Sequence, residues 1–256
     1  MSKKASVKAL GCRLNQYEAV EMQGRLEASG YEIVPFGEKA DLGVINTCTV
    51  TNEADAKSRN VIRRFIRQNP EALTVVVGCY SQMDANSIAM IKGVDYVIGN
   101  HDKMNFLEHV DDIKPSTPVI VRDRISREDF SIGFVGDPQF EQRANLKIQD
   151  GCDFMCSFCV IPFSRGRARS RELDDLISEV GRMVQSGVQE IILTGVNLGT
   201  YSSKSKNFLN LIEMISSFDG LKRIRISSIE PTTIPEAIFD WMADNSHPLM
   251  PYLHVP

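Results

Sequence analysis

The sequence predicts an α/β protein in two parts: an N-terminal doubly wound parallel sheet, then the opening strands of a partial (β/α) barrel. Three observations predict it. Strand-like and helix-like segments alternate at short intervals through the first 110 residues and again from residue 145 onward. The segment Leu-Thr-Val-Val-Val at 73–77 is a β-branched run, as suits a strand covered on both faces. The stretch between the two series is rich in charge and broken by Pro115, Pro118 and Pro138.

The first series begins with a short apolar run at 7–10. Residues 15–29 follow as a helix, with apolar Val20, Met22, Leu26 and Ala28 and with Gly30 as its stop. Residues 31–34 and 41–45 read as strands, the second running into Asn46-Thr47-Cys48. Residues 53–68 have helical composition, and Pro70 lies just beyond. Residues 73–77 form the next strand, 83–91 a helix, 96–98 a strand and 103–110 a last helix. One edge strand is expected near 119–121.

In the second series 146–148 is a strand, followed by a cysteine-rich loop. Residues 173–185 are a helix, with Leu173, Leu176, Ile177, Val180 and Val184 at three–four spacing. Strands at 190–193 and 223–226 end in Thr194-Gly195 and Ser227-Ser228, and helices are expected at 208–218 and 235–244. A further strand at 252–255 closes the sequence. About four βα units are too few to close a barrel, so the barrel is expected to be truncated. The expected domains are 1–112, a linker over 113–142, and 143–256.

Composition narrows the function. At 256 residues, 43% hydrophobic and 24% charged, the chain has enough apolar surface to fold. No run approaches the roughly 18 apolar residues that span a bilayer. A net charge of −4 excludes a generic polyanion binder. Lys8 interrupts any signal-peptide core, so the cytoplasm is the expected compartment. In that compartment six cysteines are not a disulfide framework.

Cys152-Asp-Phe-Met-Cys156-Ser-Phe-Cys159 is a C-x3-C-x2-C motif in one loop. Three soft thiolates so placed can hold three irons of a cubane cluster and leave the fourth open. A structural zinc site would need a fourth ligand, and His109 and His247 are remote in sequence. Phe154 and Phe158 are apolar neighbours able to limit water. Free core cysteines, or a zinc knuckle completed from elsewhere, are the bland alternatives. Cys12, Cys48 and Cys79 each lie just past a predicted parallel strand, where a doubly wound sheet binds its ligands. Gly11 and Gly78 beside two of them allow close backbone approach. One such cysteine is ordinary packing; three at equivalent positions point to a shared site.

The C-x3-C-x2-C motif resembles the radical S-adenosylmethionine (SAM) signature. With Cys12, Cys48 and Cys79, the whole resembles the methylthiotransferases, a radical-SAM subgroup with an N-terminal cluster domain. Further matching pieces are Ile161-Pro-Phe-Ser-Arg165-Gly, Leu193-Thr-Gly-Val-Asn197, Arg225-Ile-Ser-Ser228-Ile-Glu230-Pro231 and His254-Val-Pro256. The resemblance implies a flavodoxin-like N-terminal sheet and a radical-SAM barrel. It implies one 4Fe–4S cluster on Cys152, Cys156 and Cys159, where SAM binds the open iron and is cleaved to a 5′-deoxyadenosyl radical. It implies an auxiliary 4Fe–4S cluster on Cys12, Cys48 and Cys79. The implied partners are a tRNA anticodon stem-loop and an electron donor such as a flavodoxin or ferredoxin. Gly11-Cys12-Arg-Leu-Asn15-Gln-Tyr-Glu looks most like the enzymes acting on N6-threonylcarbamoyladenosine of tRNA. Isopentenyladenosine and a ribosomal-protein aspartate are the alternative targets, and an iron–sulfur electron-transfer or scaffold protein is the alternative class. The family's small C-terminal RNA-binding β-barrel (TRAM) is not found in this sequence.

Gly195, Asn197, Ser228 and Glu230 follow barrel strands and are expected to contact SAM, as is His254 if it faces the same cavity. Arg165, Arg167, Arg169 and Arg171 alternate after the cluster loop, where they fit SAM carboxylate or tRNA phosphate as well as a solvated turn. Lys57, Arg59, Arg63, Arg64 and Arg67 lie on one predicted helix, for which a solvated face is the simpler reading.

Overall fold

The computed structural model describes residues 2–133 and 142–256. The chain divides into two compact units. Residues 2–126 together with Cys156–Arg165 form the first, and 127–133, 142–155 and 166–256 form the second. This differs from the boundary at 112 expected from sequence, because the chain beyond 112 still contributes a strand to the first sheet. Within the expected linker, residues 134–141 lie outside the described residues.

The first unit runs β1 (Lys4–Ala9), α1 (Arg13–Ala28), β2 (Glu32–Ile33), β3 (Leu42–Thr47), α2 (Asn52–Gln68), β4 (Leu73–Gly78), α3 (Cys79–Met83), α4 (Ala85–Ala89), β5 (Tyr96–Ile98), a 3-10 segment (Lys103–Glu108) and β6 (Val119–Val121). Its sheet has the order β2-β1-β3-β4-β5-β6, all parallel. The first five strands follow the flavodoxin-like order, whose ligand crevice lies where β1 and β3 diverge.

The pattern of burial explains the winding. Every residue of β3 and β4 is buried. Val44, Val75 and Val77 share one core with Met22 and Leu26 of α1. Ile45 and Val76 share another with Ile62 and Phe65 of α2. Adjacent strand residues thus face opposite layers, which is why apolar residues do not alternate with solvent-facing ones along these strands. Helix α2 starts where the Thr51 hydroxyl accepts the Ala54 N–H, with Glu53 and Asp55 in its first turn.

The helix expected over 83–91 is two short helices. Asp84 leaves the helical region (φ −142°), and its carboxylate accepts the Ser87 N–H, so a capping residue sits inside the apolar pattern. The helix expected at 103–110 is the 3-10 segment, with Asn105 outside helical angles.

After β7 (Arg143–Lys147) and β8 (Gln149–Asp150) come α5 (Ile161–Ser164), β9 (Arg169–Ser170), α6 (Leu173–Gln185), β10 (Glu190–Thr194), β11 (Ser202–Ser203), β12 (Lys206–Asn207), α7 (Phe208–Ser216), β13 (Arg223–Ile226) and α8 (Ala237–Ala243). Helix α5 belongs to the first unit. In the second unit β7, β10 and β13 form a parallel sheet in the order β13-β10-β7. Leu176, Val180 and Met183 of α6 and Leu211, Ile212 and Ile215 of α7 share one core with Leu146, Ile191, Leu193 and Ile224. The strand expected at 252–255 is not formed. Only an isolated bridge joins His254 to Ser228, and Pro251 and Pro256, which lack an N–H, bracket it.

Glu190, the first residue of β10, closes the N-terminal edge of this sheet. Its carboxylate accepts from Arg223 Nε and Arg225 Nε, each at 2.6 Å. Burial pushes its carboxyl up, but the two guanidiniums outweigh this and hold it below the ordinary glutamate value. A depressed folded value adds stability above the unfolded value, and that stability is lost as pH falls through the folded one. Glu190→Gln is therefore expected to lower the unfolding midpoint at pH 7, and the gap from wild type to close below about pH 4. Melting curves across pH 3–8 check this; a gap that persists at the acid end would refute it.

Candidate iron–sulfur and cofactor site

Three cysteines of the first unit stand at the C-terminal edge of its sheet. Cys12 follows β1 and caps α1, Cys48 follows β3, and Cys79 opens α3 straight after β4. All three are free thiols, with Cys12 exposed and Cys48 and Cys79 buried.

The three thiols share one electrostatic neighbourhood. Burial pushes the Cys48 thiol up, and the charges of Cys79 and Cys12 push it the same way, against the Val50 N–H and Arg165. Gly11 (φ +85°) brings the β1 loop against Cys48: a side-chain carbon there would lie 2.7 Å from Cys48 Sγ. Asn15 ties the loops together, donating to the carbonyls of Leu10 at 2.7 Å and Thr47 at 2.9 Å.

A layer of buried charge lies in the same unit. Glu18 accepts from Lys103 Nζ at 2.6 Å and from Arg165 at 3.2 Å, and none of the three side chains is more than 1% exposed. Arg165 also donates to Asn15 Oδ1 at 2.6 Å. The residue expected at SAM or phosphate is thus placed on Asn15 and Glu18. Glu18 entered the sequence reading only as the last residue of the stretch at 11–18, and Asn100 and Lys103 not as site residues at all, because polar residues at helix and loop positions read as solvated.

The C-x3-C-x2-C cysteines fall on both sides of the division, Cys152 in the second unit and Cys156 and Cys159 in the first. Cys152 is buried, Cys156 exposed and Cys159 half-buried. Phe158 is 91% exposed, so it covers nothing within its own unit. Among the described residues no three His, Cys, Asp or Glu side chains close around a single ion. A cubane distributes its thiolates over different irons, so its ligands need not converge on one point. The donor chemistry of Cys12, Cys48 and Cys79, free and on one sheet edge, fits such a group.

In the second unit the expected SAM residues gather at the C-terminal ends of β10 and β13. Asn197 is buried, and its Oδ1 accepts from the Glu230 N–H at 3.2 Å and the Thr233 hydroxyl at 2.7 Å. The Leu198 N–H donates to the Ser228 carbonyl at 3.0 Å, and His254 bridges Ser228. His254 itself is exposed. Gln149, which no motif marked, is fully buried: its Oε1 accepts from Val196 N and Asn197 N, and its Nε2 donates to the Gly151 carbonyl. It therefore braces the loop carrying Cys152 against the loop after β10. Arg167, Arg169 and Arg171 pair with Asp153, Asp150 and Asp175 respectively, so carboxylates already neutralise that run.

Comparison with known proteins agrees with this layout. Uncharacterized protein family UPF0004 matches residues 4–99, and the Radical SAM superfamily matches residues 146–254. The chain is 40% identical to threonylcarbamoyladenosine tRNA methylthiotransferase MtaB of Bacillus subtilis, over 96% of this chain and 56% of that protein. It is 37% identical to the protein of the same name from Aquifex aeolicus, over 88% of this chain and 56% of that one. A solved radical S-adenosylmethionine methyltransferase, TsrM of Kitasatospora setae, shares the fold at a TM-score of 0.63 and 16% identity, over 94% of this chain and 57% of that one. Residues 4–99 thus belong to UPF0004 and residues 146–254 to the Radical SAM superfamily. The chain spans a little over half the length of the curated relatives it matches.

Proposed function

We propose that the protein is a radical-SAM methylthiotransferase acting on N6-threonylcarbamoyladenosine of tRNA, in the cytoplasm. The observation that carries the reading is the gathering of Cys12, Cys48 and Cys79 on one sheet edge in a chain that also holds the C-x3-C-x2-C motif. The adenosine target rests on the names of the relatives. The C2–H bond of adenine is strong and non-acidic, beyond side-chain acid–base chemistry near neutral pH. Bound clusters and SAM supply the radical and sulfur chemistry that the step needs.

The chain's own residues supply positions. Cys152, Cys156 and Cys159 would hold the SAM-cleaving cluster, and Cys12, Cys48 and Cys79 the auxiliary one. Asn197, Ser228 and Glu230 would orient SAM from the strand ends, with Gly195 leaving room beside Gln149 and His254 at the rim. The expected partners are the tRNA anticodon stem-loop and a flavodoxin-like or ferredoxin-like electron donor.

The test supplies the anaerobically reconstituted protein with SAM, a reductant and anticodon stem-loops bearing either N6-threonylcarbamoyladenosine or N6-dimethylallyladenosine. The methylthio product is expected from the first substrate. Product only from the second would reassign the target, toward the synthase of Thermodesulfovibrio yellowstonii to which the chain is 28% identical. SAM cleavage with neither product would overturn the tRNA reading.

A further inference from the structure

Asn100 follows β5 by two residues and is 8% exposed. Its partners fix which way the amide points. Lys103 Nζ lies 2.7 Å from Oδ1, and an ammonium can only donate, so the oxygen must face it. The nitrogen then faces the Ser164 carbonyl at 2.5 Å and Cys79 Sγ at 3.4 Å. A carbonyl can only accept, which demands the same orientation. Both amide hydrogens are thereby assigned, one of them to sulfur. Lys103 is held in turn by Glu18 at 2.6 Å.

The geometry points to Asn100 as the hydrogen-bond donor that sets the reduction potential of the group held by Cys12, Cys48 and Cys79, with Lys103 as its positioning residue. This rests on the reading that those cysteines hold a cluster. A hydrogen bond to a ligating sulfur withdraws electron density and favours the reduced state, so it raises the potential. Cys79 is 3% exposed, so water does not readily replace the amide.

The test uses protein with alanine at Cys152, Cys156 and Cys159, so that only the first triad loads. Iron and sulfide are counted first: a protein that binds none overturns the cluster reading itself. Redox titration followed by electron paramagnetic resonance then compares this parent with Asn100→Asp and Asn100→Leu. Both are expected to shift the midpoint to lower potential, and Asp further, because it places an acceptor against the sulfur. Equal midpoints would overturn the proposal. A second measurement needs no substitution at Asn100. With asparagine side chains labelled with nitrogen-15, the reduced cluster is expected to show coupling to a labelled nitrogen; no coupling would also overturn it.

Discussion

Alanine at Cys152, Cys156 and Cys159 together is expected to lower bound iron from about eight to about four per chain and to abolish 5′-deoxyadenosine formation. Alanine at Cys12, Cys48 and Cys79 is expected to lower iron by the same amount while leaving SAM cleavage in place. The asymmetry follows from the division of labour: only a cluster with an open iron beside bound SAM can deliver the electron, and the C-x3-C-x2-C loop has that spacing. Iron and sulfide assays with product chromatography check both variants. About four irons in wild type and in the Cys12, Cys48 and Cys79 variant alike would mean that the N-terminal cysteines hold no cluster. The chemistry would then be that of a radical-SAM protein of another kind.

The alternating strands and helices were legible because burial on both faces leaves an unmistakable mark. Residues 73–77 read as a strand, and β4 is wholly buried. The helix over 173–185 was legible to the residue, because its apolar positions fall on one stripe. Local exceptions were not. Asp84 looks like one polar residue in an apolar helix until its carboxylate is seen capping Ser87. The run at 252–255 has strand composition but finds only a single bridge. The cysteines stood out as candidate ligands because their residue type is rare and their spacing specific. Their support did not, since Asn15 and Arg165 meet across 150 positions of sequence and no local pattern records such a contact. Arg165 shows the same limit: nothing local in a run of alternating arginines marks it as 1% exposed on a carboxylate.

Glu18→Ala is expected to be the most destabilising single substitution in the first unit. Its carboxylate serves Lys103, Arg165 and the Asn46 amide at once, from a side chain with no exposed surface. Removing one member of a buried ion network costs about 3–5 kcal/mol, because the remaining charges stay desolvated. At about 2–4 °C per kcal/mol for a chain of this size, the midpoint is expected to fall by about 10 °C. Exposed pairs such as Lys4 with Glu32, at 3.8 Å, should matter far less. Arg165→Met alone should also destabilise, but the double variant should be milder than the sum of the two, since charge and countercharge leave together. Calorimetry on the four proteins of this cycle checks the coupling. Additive losses would mean that Glu18 and Arg165 act separately, and that the loop after Cys159 is not anchored to α1 through their charge.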